Sequence, residues 1–176
     1  DGVLVDRLQP PGVEFPIYEA SAYQLARSAD VHCRVVKLYE EQPFDVVVAS
    51  LYQMPADPFE EPTEHRPLDY WGRTLLDHFL RSLPDVLAED GRAYVMQLSI
   101  VGAQETSRQL EQLGFRSRVV DFGFFPFGPL FEANKEQITR VEGLSDAYHL
   151  SLGGQDVMVA YLLEIGRELP DEPALS

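Results

Sequence analysis

The sequence predicts an α/β protein, a single open sheet with helices packed against it. Three observations carry that prediction. The run FDVVVAS, Phe44 to Ser50, has the dense apolar pattern of a strand covered on both faces. Leu68, Trp71, Leu75, Leu76, Phe79, Leu80 and Leu83 recur mostly at intervals of three and four, which places them on one face of a helix. Strand-like and helix-like stretches then alternate as far as Ile165.

Taken in order, Gly2 to Asp6 is a short β-like run closed by the turn Pro10-Pro11-Gly12, and Val13 to Ile17 pairs back on it before a helix from Ala20 to Ala29. Cys33 to Leu38 alternates weakly, and with Phe44 to Ala49 it is most economically read as part of a parallel sheet. The long amphipathic helix starts near Pro67, is kinked or restarted at Pro84 and ends at Asp90-Gly91. Arg92 to Ser99 is the next strand, Gln104 to Leu113 a helix stopped by Gly114, and Phe115 to Asp121 another strand. An aromatic loop leads to a helix from Glu132 to Val141, and the Gly153-Gly154 turn leads into a last strand, Asp156 to Ile165. The organisation is a leading segment 1–31, an α/β domain 32–166 and an acidic tail 167–176, with no internal repeat.

Composition narrows the function classes. A formal charge of −15 repels phosphate backbones and anionic lipid, so neither nucleic acid nor a membrane surface is an expected partner. The longest apolar run, Val157 to Leu163, falls well short of the roughly 20 residues a membrane helix needs. Cys33 is the single cysteine and has no internal disulfide partner, which points to a cytoplasmic location. His32, His65, His78 and His149 have no second ligand at metal-binding spacing, so no metal is expected. There is no G-x-S-x-G elbow and no P-loop.

One resemblance emerges. FDVVVAS, the long helix, LPDVLAEDGRAYVMQLS, a helix ending in LEQLGF, and RSRVVDF are together similar to the C-terminal half of class I S-adenosylmethionine-dependent methyltransferases. GVEFPIYEASAYQLAR resembles the segment that precedes the cofactor domain in release-factor glutamine methyltransferases and their small-molecule relatives. The resemblance implies a partial Rossmann-like sheet with flanking helices that lacks the first strands of the fold. Between Val31 and Cys33 there is no room for the family's first strand, glycine-rich turn, helix and second strand, since one strand-helix-strand unit takes roughly 30 residues. Where relatives end the fourth strand with N-P-P-Y, this chain has Ser50-Leu51-Tyr52-Gln53.

The resemblance therefore implies a methyltransferase-like protein of bacterial small-molecule, secondary-metabolite biosynthesis that binds no cofactor by itself. It would act as a catalytic or binding subunit, with intramolecular substitution or cyclisation as a candidate reaction. Two alternatives stand beside this, an active S-adenosylmethionine-dependent methyltransferase represented by an incomplete chain, and a non-catalytic stabilising partner. A small-molecule substrate is expected, together with a homo-oligomer or a heteromeric protein partner to cover the open sheet edge.

Ligands in open α/β sheets bind beyond the carboxyl ends of strands, which makes Ser50, Tyr52, Gln53 and the loop to Arg66 the positional candidates. Glu19 and Asp45 are the candidate general bases. In DYWGR, Tyr70, Trp71 and Arg73 could hold an anion, because a guanidinium beside aromatic rings binds carboxylate or phosphate bidentately. Gln97, near the end of its strand, faces either the cavity or the following helix. Phe124 and Phe127, within the cluster Phe122, Phe124, Phe125, Phe127 and Phe131, are expected to wall a pocket or form a subunit interface.

Overall fold

A computed structural model describes residues 43–57 and 69–170. The expected strands and helix before Phe44, Glu19 among them, the loop 58–66, and the tail from 171 lie outside the described residues.

The chain forms β1 (Phe44–Ser50), α1 (Thr74–Val86), β2 (Leu87–Leu98), one 3₁₀ turn (Ser99–Val101), α2 (Gln104–Gln112), β3 (Arg116–Pro126), α3 (Pro129–Ala133), α4 (Lys135–Glu142), β4 (Leu150–Leu152) and β5 (Gln155–Gly166). Among the described residues the sheet has five strands in the order β1-β2-β5-β3, with β4 on β5. It is a mixed α/β sheet flanked by helices, compatible with a partial Rossmann-like methyltransferase fold.

Among the described residues only β1 and β2 pair in parallel; β5 runs antiparallel to β2, β3 and β4. The parallel arrangement expected around Phe44 to Ala49 is seen for β1 with β2, and β5 is the strand that runs the other way. The cause is the β4–β5 hairpin, whose turn glycines Gly153 and Gly154 have φ of +61° and +84° and return the chain into the gap between β2 and β3.

Helix α1 starts at Thr74 rather than near Pro67, leaving Trp71 before it and 43% exposed, and buries Leu75, Leu76, Leu80, Leu83 and Val86. It ends earlier than Asp90-Gly91. Pro84 has no N–H for Leu80, and Leu87 is already extended at φ −101°, ψ 128°. Residues Ala88 to Gly91 therefore join β2, and the register breaks between Phe44↔Leu87 and Val46↔Arg92 to take them in. A Cβ on Gly91 would sit 2.8 Å from the Phe44 carbonyl oxygen, so only glycine lets the strands approach there.

At the centre of the core Leu76, Leu80, Ala93, Val95, Ile138 and Ile165 are fully buried. Val47 and Ala49 of β1 pack against it, whereas Val46 and Val48 are 59% and 75% exposed. The described residues thus cover β1 on one face rather than two. The phenylalanine stretch expected as a loop is largely strand, since β3 continues through Phe122, Phe124 and Phe125 to Pro126.

Candidate functional site

The loop after β1 is fastened by its own side chains. Gln53, 3% exposed, donates Nε2 to the Met96 carbonyl at 2.6 Å and accepts the Leu98 N–H on Oε1 at 2.9 Å. Its amide thus continues the β1–β2 ladder after the main chain has turned away. Met54 is 1% exposed, in the core beside Leu76 and Leu80. Ala56 N donates to the Asp69 carbonyl at 2.9 Å, which joins the two ends of the excursion between β1 and α1.

The DYWGR turn rests on that loop. Gly72 has φ +70°, and a Cβ there would lie 2.4 Å from Pro55 N and 2.6 Å from Met54 C. The Asp69 carboxylate accepts Gly72 N at 3.0 Å and Thr74 N at 2.6 Å, satisfying donors at the start of α1. Trp71 is 43% exposed, meets Tyr70 edge-on at 5.2 Å, and stands with exposed Ser50 among the accessible groups near the carboxyl end of β1. Tyr52 packs partly against the core, and the Tyr70 carbonyl accepts Gln137 Nε2 at 3.0 Å.

Arg73 faces inward. Its Nη1 donates to the carbonyls of Val101 at 3.0 Å and Gly102 at 2.8 Å, and its Nη2 to Asp77 at 3.0 Å and Thr106 at 2.9 Å. At 5% exposure this guanidinium ties α1 to the 3₁₀ turn and α2. Gln97 joins the same network by donating Nε2 to the Gly102 carbonyl, and its Oε1 is buried without a partner.

The other candidates are scattered. Asp45 opens β1 and is exposed; at about 3.3 Å per residue it lies about 16 Å along the strand from Ser50. Phe127 is buried against Phe131 at 5.7 Å and His149 at 5.3 Å, while Phe124 is 55% exposed and pairs across the strands with Val159. The structure thus gathers Ser50, Tyr52, Gln53, Tyr70 and Trp71 around one loop base, and leaves Asp45 and Phe124 away from it.

Several polar centres have no local signal in the sequence. Glu164 is 7% exposed and receives Arg118 at 2.6 Å, Arg92 at 3.9 Å and the Tyr94 hydroxyl at 3.1 Å. Burial, then that carboxylate, pushes the Tyr94 phenol up. His149 lies between Glu142 at 2.6 Å and Asp156 at 3.6 Å, and Asp156 also holds Lys135. Asp146 accepts the N–H groups of Ala103 and Gln104 at 2.7 and 2.9 Å, capping α2. A charge inside the apolar run of β5 was the one visible cue to Glu164; the other groups meet only through tertiary folding. Among the described residues no group of three His, Cys, Asp or Glu side chains could hold a metal ion, and no helix is long and apolar enough to cross a membrane.

No protein-family model matches the chain. Over 63 residues it is 35% identical to the "Putative protein N5-glutamine methyltransferase" of Methanocaldococcus jannaschii, a match covering 36% of this chain and 32% of that protein. The chain resembles a methyltransferase. It spans about a third of the length of the curated relative it matches, so the relationship it supports is to the methyltransferase-like fold.

Proposed function

We propose that this methyltransferase-like chain supplies the acceptor side of a catalyst in small-molecule biosynthesis, and acts without binding S-adenosylmethionine itself, as a subunit of a larger assembly. One observation carries the reading. The parallel pair β1–β2 offers Ser50 and Trp71 at its carboxyl end, while β1 has no further strand paired to it among the described residues and turns Val46 and Val48 outward. The cofactor side of such a sheet would lie beyond β1.

The chemistry open to an acceptor half is alignment. Displacement needs a nucleophile and a leaving group held in line, and a rigid loop base supplies that through positioning. Gln53, Arg73 and Gly72 make the base rigid; Ser50 and Trp71 are the groups that can touch a ligand. Asp45, at the other end of β1, can act as a base only for a ligand bound there.

The test is titration calorimetry with thermal shift, using S-adenosylmethionine and S-adenosylhomocysteine on the purified chain, alone and with the product of a neighbouring gene. A real site at about 100 times its dissociation constant adds about 2.7 kcal/mol of stability. The expected result is no saturable binding by the chain alone. Saturable binding overturns the cofactor-free role and supports the second reading, an S-adenosylmethionine-dependent methyltransferase. That reading is favoured by the match to a protein whose printed name is a glutamine methyltransferase.

A further inference from the structure

A cavity lies between α2 and the face of the sheet formed by β5 and β3. Its volume is about 280 Å³, at the small end for ligand sites and enough for one ring with a short side chain. Gln97, Ser99, Thr106, Ser117, Tyr148 and Tyr161 are among its lining residues.

The polar groups of this cleft point to one class of ligand. Gln97 is 1% exposed and its Nε2 is committed to the Gly102 carbonyl, which leaves Oε1 as an acceptor with no donor. An unpaired buried acceptor costs about 1–3 kcal/mol, so a ligand N–H there is rewarded. Anions are disfavoured. Asp146 lines the cleft and already takes the N–H groups of Ala103 and Gln104 that a helix N-terminus would offer to an anion, and the Arg118 guanidinium is engaged by Glu164.

The apolar part is aromatic. The hydroxyls of Tyr148 and Tyr161 meet each other, and Phe122 stands directly across the strand pair from Tyr161. Phe122 and Tyr148 are 49% and 37% exposed, which leaves ring surface open to stacking.

We propose that this cleft binds a small aromatic molecule carrying an N–H donor on a short side chain, an arylalkyl amine or amide, with its ring against Tyr148 and Tyr161 and its nitrogen towards Gln97. The proposal does not depend on the methyltransferase reading.

The experiment is an NMR titration of the ¹⁵N-labelled full chain with three probes that share a hydroxyphenyl ring: tyramine, the alcohol 2-(4-hydroxyphenyl)ethanol and the anion 4-hydroxyphenylacetate. Tyramine should shift amides of α2, β3 and β5 saturably, about tenfold more tightly than the anion, with the alcohol between. Gln97→Leu should remove the preference for the amine. Because Gln97 is buried, Ser107→Trp is the second variant: Ser107 lines the cleft but is exposed, so the indole should block tyramine while thermal stability holds. The proposal is overturned by the absence of saturable shifts at millimolar tyramine, which would leave only water to satisfy Gln97. Equal binding of the anion, or undiminished binding by Ser107→Trp, overturns it as well.

Discussion

Replacing Arg73 by Met would take a donor from the carbonyls of Val101 and Gly102, from Thr106 and from Asp77 in one step. Its surroundings are buried and water cannot replace those bonds fully, so a loss of about 3 kcal/mol is expected. Urea unfolding at constant m-value measures it; Arg73→Lys should recover only a minor part, because an ammonium cannot span both carbonyls and Thr106. Gln53→Leu should cost about 2 kcal/mol by leaving the Met96 carbonyl and Leu98 N–H unpaired, whereas exposed Ser50→Ala should stay within about 0.5 kcal/mol. An outcome in which Ser50 matters more to stability than Gln53 would sink the ladder-continuation account. Tyr161 contributes to the pH dependence at the alkaline end. Burial, then the bond to Tyr148, pushes its phenol up from 10.0 to about 12. The fold thus favours the neutral form and the unfolded chain ionises first, so this contribution is intact below about pH 10 and fades as the pH rises towards about 12. Tyr161→Phe should remove a late-titrating phenol from the ultraviolet alkaline titration and soften the loss of stability in that window.

The turn before α1 and the cap of α2 show what an element needs that its own residues do not announce. Gly72→Ala must abandon φ +70° or displace Pro55, whose N would lie 2.4 Å from the new Cβ, so it should destabilise by more than about 1 kcal/mol. Gly114 also has positive φ, +77°, but a Cβ there meets nothing within 4 Å, so Gly114→Ala isolates the cost of conformation alone. Equal losses in chemical unfolding would mean that the contact with Pro55 contributes nothing. Helix and strand cores were legible because periodicity is local: α1 buries the leucines its spacing indicates, and Gly114 ends α2 as expected. The boundaries failed where tertiary pairing overrode punctuation, as when β2 ran back through Asp90-Gly91 and β3 ran on through Phe122 to Pro126. Site residues failed for a related reason. A side-chain type such as Arg73 or Gln53 states what it can bond, and only the neighbours brought from distant elements decide whether a ligand or a carbonyl takes the bond.

At the scale of the molecule, two features act together, an apolar pair of valines standing out from β1, an edge strand among the described residues, and a formal charge of −15. Unpaired strand edges are templates for association, and among the described residues β1 is the edge that the rest of a Rossmann-like sheet would continue from. Charge separates the two expected kinds of partner. Copies of a chain this acidic repel one another over the Debye length of about 10 Å at 0.1 M salt, so a homo-oligomer should tighten as salt is raised. A complex with a basic partner should instead loosen over the same range. Sedimentation velocity between low and high salt reads the sign directly. Val48→Lys, at a side chain 75% exposed, should leave the melting temperature within a few degrees yet weaken either assembly by placing a charge in the contact. A chain that sediments at its single-chain mass of 19.9 kDa at every salt concentration, alone and with candidate partners, would remove the assembly from the proposed function and leave the β1 face to be covered by the chain's own residues.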